Sequence, residues 1–443
     1  MITEKNEAEI PNRGRTVAFG TMIGATIEWY DFYIFGIAAA LVFNKIFFPQ
    51  VDPTVGTLLS LATFATAFVA RPFGGIIFSH LGDRFGRKKI MFATLILMGS
   101  ATVAMGLLPD YNTIGVAAPI ILVFLRLLQG FACGGEWGAA AVTGVESAPT
   151  GKRGIFGAFP QMGVPIGLFL STVVSLFFYF LPEEQLLAWG WRIPFLLTIV
   201  FIAVGQYLRR NLPETKEFKQ TVEAGKIVRF PALNALKFHG KSVAIVFFTT
   251  AIINVGFFTM STYILTYATK DGLFARTEVL IAVAVAALVY LGFVTLGGLL
   301  SDKYGSRNVY LAATVAAIFA YFPAFLLIDT GHFAGLLIGV AVIWPAVNGM
   351  GYGAQTSFYS TLFPPAVRLS GMSLGYQVAG SVFGGPLPLL AGVLVTAAGG
   401  SPWLLVGYIS LVAIVATIAT LRAPAAPVGA SLVEGAYVRE PSK

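Results

Sequence analysis

Charge is scarce in this chain. Asp, Glu, Lys and Arg make up 11% of its 443 residues, against about a quarter in a soluble globular domain. With 56% hydrophobic residues and a mean hydropathy of +0.79, it reads as an integral membrane protein, so length does not count soluble domains. Cysteine is almost absent. The lone Cys133 excludes a disulfide framework, a cysteine zinc cluster and a CxxC redox pair. Histidine is scarce too: His80, His239 and His332 lie far apart at expected loop positions, so no metal and no cofactor is expected. The net charge of +8 sits in the loops, where membrane topology accounts for it and nucleic acid is not needed. The first apolar run is too long for the core of a signal peptide and reads as an uncleaved spanning helix.

Long apolar runs are what the chain has. About 20 such residues cross a bilayer as helix. Twelve runs qualify, at about 16–44, 54–82, 89–108, 115–144, 153–180, 190–209, 242–269, 277–300, 308–328, 333–362, 368–398 and 402–421. With the N-terminus inside, 23 Lys and Arg fall on the cytoplasmic side and 4 outside, with Arg71 and Arg126 in the spans. That bias predicts an even number of spans with both termini cytoplasmic. The polar stretch 210–241 divides the spans six and six, and its basic residues suit anionic headgroups. The expected organisation is a bundle at 1–209, a linker at 210–241, a bundle at 242–421 and a tail at 422–443.

The halves repeat. Gly82-Asp83-Arg84-Phe85-Gly86-Arg87-Lys88 follows the second run, and Ser301-Asp302-Lys303-Tyr304-Gly305-Ser306-Arg307 follows the eighth. Pro149 and Arg153 likewise match Pro364 and Arg368. Two matches at nearly equal offset argue for duplication. Asp can start a helix and the arginines can pair with acids on neighbouring helix ends, so these turns read as a latch. Asp83, Arg84, Arg87, Glu146, Arg153, Asp302, Arg307 and Arg368 are its candidates. Ser306 stands where the first copy has Arg87, and Ser360-Thr361 where the first half has Glu146, so the latch is expected to be weaker in the second half.

Five ionisable residues lie inside the apolar runs, all in the first half: Glu28, Asp31, Arg71, Arg126 and Glu136. A charge at bilayer depth costs about 2.5–3.5 kcal/mol on insertion scales, so it persists when paired, wetted or working. At about 1.5 Å per residue, Glu28, Asp31, Arg71 and Arg126 fall near mid-depth, with Glu136 closer to the cytoplasm. Glu28 and Asp31, spaced i, i+3, share a helix face. An arginine there can grip a carboxylate, and a carboxyl group there can carry a proton. The alternative is that these charges are structural ion pairs.

Together these residues resemble the major facilitator superfamily, and within it the metabolite:proton symporter family, in its shikimate-transporter-like branch. The resemblance runs through Glu28-Trp29-Tyr30-Asp31-Phe32-Tyr33, Ala70-Arg71-Pro72, the Gly82–Lys88 turn, Arg126-Leu127-Leu128-Gln129-Gly130, Gly134-Gly135-Glu136-Trp137-Gly138 and Phe159-Pro160-Gln161. It implies an all-α membrane fold of twelve helices in two pseudo-symmetric six-helix bundles. It also implies a monomeric, multi-pass transporter of the bacterial inner membrane, not an enzyme, taking up a small polar metabolite with a proton. Proton coupling would fall to Asp31, Glu28 and Glu136. Substrate contacts would fall to Arg126, Arg71, Gln129, Tyr30, Tyr33 and Gln161, and in the second half to Asn254, Tyr263, Asn348 and Gln355. The partners are then a small molecule, a proton and the lipid bilayer. Family members carry carboxylates such as shikimate, citrate and 2-oxoglutarate, or zwitterions such as proline and betaine. Uptake of an osmolyte, drug/proton antiport and a membrane sensor that does not transport stay open as other readings.

Overall fold

The computed structural model describes residues 4–85, 87–210 and 231–424. The side chains at 4–17, 79, 80, 82–91, 179, 208–210, 231–234, 365 and 366 lie outside that description, and with them those of His80, Asp83, Arg84 and Arg87. So does most of the expected linker, and the tail beyond 424.

In lipid every backbone N–H and C=O must be satisfied within the chain, and a helix does this locally. The helices are α1 (Glu4–Leu41), α2 (Pro53–Phe85), α3 (Arg87–Leu107), α4 (Ala117–Glu146), α5 (Arg153–Tyr179) and α6 (Glu183–Tyr207). The second half adds α7 (Ala235–Gly272), α8 (Arg276–Tyr304), α9 (Ser306–Ile328), α10 (Phe333–Ser360), α11 (Val367–Ala397) and α12 (Trp403–Arg422). Ten described helices are long and apolar enough to cross a membrane. The other two expected spans are α1, which carries Glu28 and Asp31, and the shorter apolar stretch Phe92–Leu107 of α3. His80 falls within α2 and His239 within α7, not in loops as expected, because α2 runs on to Phe85 and helix has already begun before Lys241.

Glycine sets how closely the helices approach. A Cβ on Gly74, Gly130 or Gly134 would run into the backbone of Phe131, Ala67 or Arg71, so α2 and α4 touch main chain to main chain. The matching pair in the second half behaves alike: Gly297 meets Met350, and Gly353 meets Val294, along α8 and α10. Small residues at such seams replace the hydrophobic drive that lipid removes. Gly163 and Gly167 of α5 press in the same way on the backbone of α1. The sequence around them suggests a loosened helix, but α5 stays continuous through Pro160 and Pro165 because α1 packs against it. Gly130→Val is expected to cost about 3 kcal/mol through overpacking. Thermal unfolding in detergent should show it, with Gly240→Ala, where no atom lies within 4 Å, unchanged.

Several helices depart from the regular form expected of them. The ladder of α4 is interrupted at Gly134–Glu136, between the segments Ala117–Cys133 and Trp137–Glu146. Consecutive glycines weaken a helix there. In the second half, α7, α10 and α11 each contain π-helical turns, at Thr259–Tyr263, Ile338–Ile343, Pro345–Gly349 and Gly380–Gly384. Such turns concentrate where a helix serves a site.

The halves meet at both ends. At the Glu146 end, Arg368 Nη1 donates to Glu146 Oε1 at 3.0 Å. There too, Asp302 accepts the backbone N–H groups of Gly154 at 2.5 Å and Ile155 at 3.1 Å. At the opposite end a Cβ on Gly392 of α11 would sit 2.9 Å from Leu58 of α2.

Candidate functional site

The i, i+3 spacing puts Glu28 and Asp31 near each other, yet the helix turns them toward different neighbours. Glu28 faces α2 and α4. Its Oε1 lies 3.8 Å from Arg71 Nη2 and accepts a hydrogen bond from Cys133 Sγ at 2.5 Å. Asp31 faces α3 and α6. Thr198 Oγ1 donates to its Oδ1 at 2.7 Å, and Thr102 Oγ1 stands 3.3 Å from its Oδ2. Among the described residues no cation lies within 4.0 Å of Asp31.

Arg126 has the converse problem. It is fully buried, with its guanidinium carbon 4.0 Å from the ring centres of Phe32 and Phe35 and 5.0 Å from that of Phe64. Those rings favour a cation without hydrating it. Its Nη1 donates to Gln129 Oε1, while Nε and Nη2 have no hydrogen-bond partner. No acid lies within 4.0 Å of it among the described residues. Gln129 Nε2 donates to Thr102 Oγ1 at 2.8 Å, so a chain of polar contacts runs from Arg126 through Gln129 and Thr102 to Asp31. Phe32 is shared: Arg71 stands 5.5 Å from its centre.

Tyr33 completes this group. Its ring stacks between Trp29 at 5.3 Å and Phe257 of α7 at 5.6 Å, and its buried hydroxyl has no partner. Tyr30, grouped with it from sequence, points elsewhere. Its hydroxyl donates to the Pro194 carbonyl at 2.9 Å and its ring packs on Phe201, so it ties α1 to α6 and does not face the second half.

The second-half candidates divide. Gln355 reaches across, accepting from Gln161 Nε2 at 3.1 Å and donating to Tyr359 at 2.9 Å. Trp137 Nε1 donates to Gln161 Oε1 at 3.2 Å, which extends this chain into α4. Asn348 and Asn254 stay within the second bundle. Asn348 accepts from Tyr290 at 2.7 Å, and Asn254 donates to the Thr250 carbonyl at 3.3 Å. Tyr263 packs beside Tyr267, centres 6.3 Å apart. These contacts lie within the second bundle, where polar side chains in lipid commonly join helices.

Of the latch residues, Glu146, Arg368 and Asp302 join the halves as described above. Arg307 does not pair with an acid across the gap. Its guanidinium donates to the Thr420 and Leu421 carbonyls at 3.2 and 2.8 Å, capping the end of α12. Arg153 opens α5, and Glu136 lies buried in the interruption of α4. Sequence reasoning missed Thr102, Thr198 and Cys133, because a threonine or a cysteine in an apolar helix carries no signal by itself.

A family model described as Major Facilitator Superfamily matches residues 21–387. The shikimate transporter of Escherichia coli K12 is 38% identical over 394 residues, covering 88% of this chain and 90% of that protein. The glycine betaine/proline/ectoine/pipecolic acid transporter OusA of Dickeya dadantii is 32% identical over 398 residues, covering 87% and 78%. A solved structure of the E. coli xylose transporter XylE, partially occluded and inward open, superposes with a TM-score of 0.72. It shares 17% identity over 92% of this chain and 97% of that one, which speaks for the fold alone. The chain is therefore a multi-pass inner-membrane transporter and not an enzyme, with twelve helices in two six-helix bundles. It belongs to the Major Facilitator Superfamily, among the metabolite transporters that include the shikimate transporter.

Proposed function

We propose that this protein takes up a small hydroxylated monocarboxylate together with one proton, by alternating access between the bundles. The observation that carries this is Arg126: a fully buried guanidinium, walled by three phenyl rings, with two nitrogens unpartnered. A buried cation without a counter-ion is costly, and an incoming carboxylate accepting two parallel N–H bonds would relieve that cost.

Charge balance supports one anion and one proton. Glu28 and Arg71 neutralise each other at 3.8 Å. Glu136 stands apart, in the interruption of α4. That leaves Asp31 and Arg126 at the centre, each without an opposite charge within 4.0 Å among the described residues. A protonated Asp31 is neutral, and a carboxylate on Arg126 is neutral as a pair. The loaded centre then carries no net charge, which favours its movement through a low-dielectric interior. The Tyr33 hydroxyl and the Gln161–Gln355 amides suit hydroxyl groups on the substrate.

A zwitterion is the second reading, favoured by Asp31: uncountered, it could face a substrate ammonium group, and relatives at 31–32% identity are named for betaine and proline. The basic loops support a topology with both termini cytoplasmic, which places the Glu146 end inside. The division into bundles at 1–209 and 242–421 with a linker between them, and function as a monomer, are part of the same reading.

The test is uptake into proteoliposomes with an inside-alkaline gradient, using labelled shikimate, citrate, 2-oxoglutarate, proline and betaine. The expected result is gradient-driven accumulation of the monocarboxylate, insensitive to membrane potential. Accumulation of betaine or proline instead would move the reading to the zwitterion, and equilibration without accumulation would remove the coupled proton.

A further inference from the structure

Helix α11 of the second bundle lies across the interruption in α4. Tyr376 stacks face to face on Trp137, centres 3.5 Å apart and planes 2° apart. A Cβ on Gly138 would collide with the Ser373 side chain, so only glycine lets α11 this close. One residue beyond Tyr376, the Gln377 amide uses both of its ends. Its Oε1 accepts from Arg71 Nε at 3.2 Å, and its Nε2 donates to the Gly134 carbonyl at 2.8 Å.

These contacts close a ring. Gln377 joins Arg71, Arg71 faces Glu28, Glu28 accepts from Cys133, and Cys133 precedes the Gly134 whose carbonyl returns to Gln377. Glu28, Arg71, Cys133 and Gln377 are each no more than 3% exposed. All members but Gln377 come from the first bundle. Opening the bundles at this depth therefore has to withdraw Gln377, stripping a partner from a buried arginine and from a buried carbonyl at once.

We infer that Gln377 is the positioning residue through which the second bundle holds the Glu28–Arg71 pair, and that its two-ended amide keeps the transporter closed. This rests on the alternating-access reading above, though not on the substrate assigned there. A neutral amide is the side chain that serves both neighbours. A carboxylate suits Arg71 and repels the Gly134 carbonyl, and an alkyl group suits neither.

Cys133 is the chain's sole cysteine and sits inside the ring, so its alkylation by N-ethylmaleimide reports opening without an engineered label. The measurement is the alkylation rate in full-length protein reconstituted in liposomes. Wild type is expected to react slowly. Gln377→Leu should react about tenfold faster, since a hydrogen bond to a charged group shifts an equilibrium by that order or more. Gln377→Asn, which keeps both functions one methylene shorter, should fall between the two. Tyr376→Leu removes the ring stack and leaves the amide in place. If it accelerates alkylation as much as Gln377→Leu, loosened packing is the cause and the proposal fails. Equal rates in wild type and Gln377→Leu overturn it too, as does a wild-type Cys133 that reacts as fast as in unfolded protein. Because the readout is chemical, it stands even if no carboxylate in the panel is transported, which would count against the proposed function alone.

Discussion

Arg126→Ala should reduce uptake at least a hundredfold while leaving a folded protein in the membrane. The size follows from the interaction lost. Removing one partner from a buried, hydrogen-bonded charge pair costs about 3–5 kcal/mol, and each 1.4 kcal/mol is about tenfold. The folded state should tolerate the change, because Arg126 has one side-chain hydrogen bond, to Gln129, and no acid within 4.0 Å among the described residues. Alanine gives up the contact with three rings but also removes a desolvated charge. Arg126→Lys separates charge from geometry. It keeps the cation but loses the planar fork, and should remain impaired at least tenfold. Initial uptake rates in proteoliposomes, with thermal stability measured in parallel, check both variants. Near-normal uptake by the alanine variant would show that the substrate does not use this guanidinium.

Asp31→Asn should abolish accumulation against a gradient while exchange of internal for external substrate continues. The substitution is nearly isosteric. An asparagine oxygen can still accept from Thr198, and its amide can face Thr102, so the contacts among α1, α3 and α6 survive. What it cannot do is bind and release a proton in the physiological range. For one proton per substrate, a difference of one pH unit sustains at most about a tenfold accumulation, worth about 1.4 kcal/mol. In the variant that ratio should fall to one. Accumulation that still follows the pH gradient would take Asp31 out of the proton path and turn attention to Glu28, whose partners are Arg71 and Cys133.

Much of this architecture was legible in the sequence, and for a physical reason: lipid leaves the backbone few options, so hydropathy marks the spans almost unaided. The five buried charges were equally visible, since an ionisable group in an apolar run is an outlier on one line of text. Their pairing was not. Glu28 and Asp31 sit one helical turn apart, and the angle between them sends one to Arg71 and Cys133 and the other to Thr102 and Thr198. Spacing gives a shared face but not which neighbour stands on either side of it. Tyr30 and Tyr33 make the same point, three residues apart and directed to α6 and α7. The π-helical turns and the interruption in α4 were illegible for another reason. Glycine pairs weaken a helix without saying whether it breaks: Gly134-Gly135 lies in an interruption, Gly74-Gly75 and Gly297-Gly298 in unbroken helices, so tertiary packing decides.

One contact at the Glu146 end has a mechanical meaning. The first turn of any helix points N–H groups outward with nothing in its own coil to receive them. In α5 two of these, at Gly154 and Ile155, are received by Asp302, which belongs to the other bundle. The helix is thus finished by a borrowed residue. If the bundles part at that end, α5 frays by a turn or offers its two N–H groups to water, and when they meet again it is rewound. Under the alternating-access reading, the second bundle acts as a splice for the first, and each transport cycle includes a small act of folding.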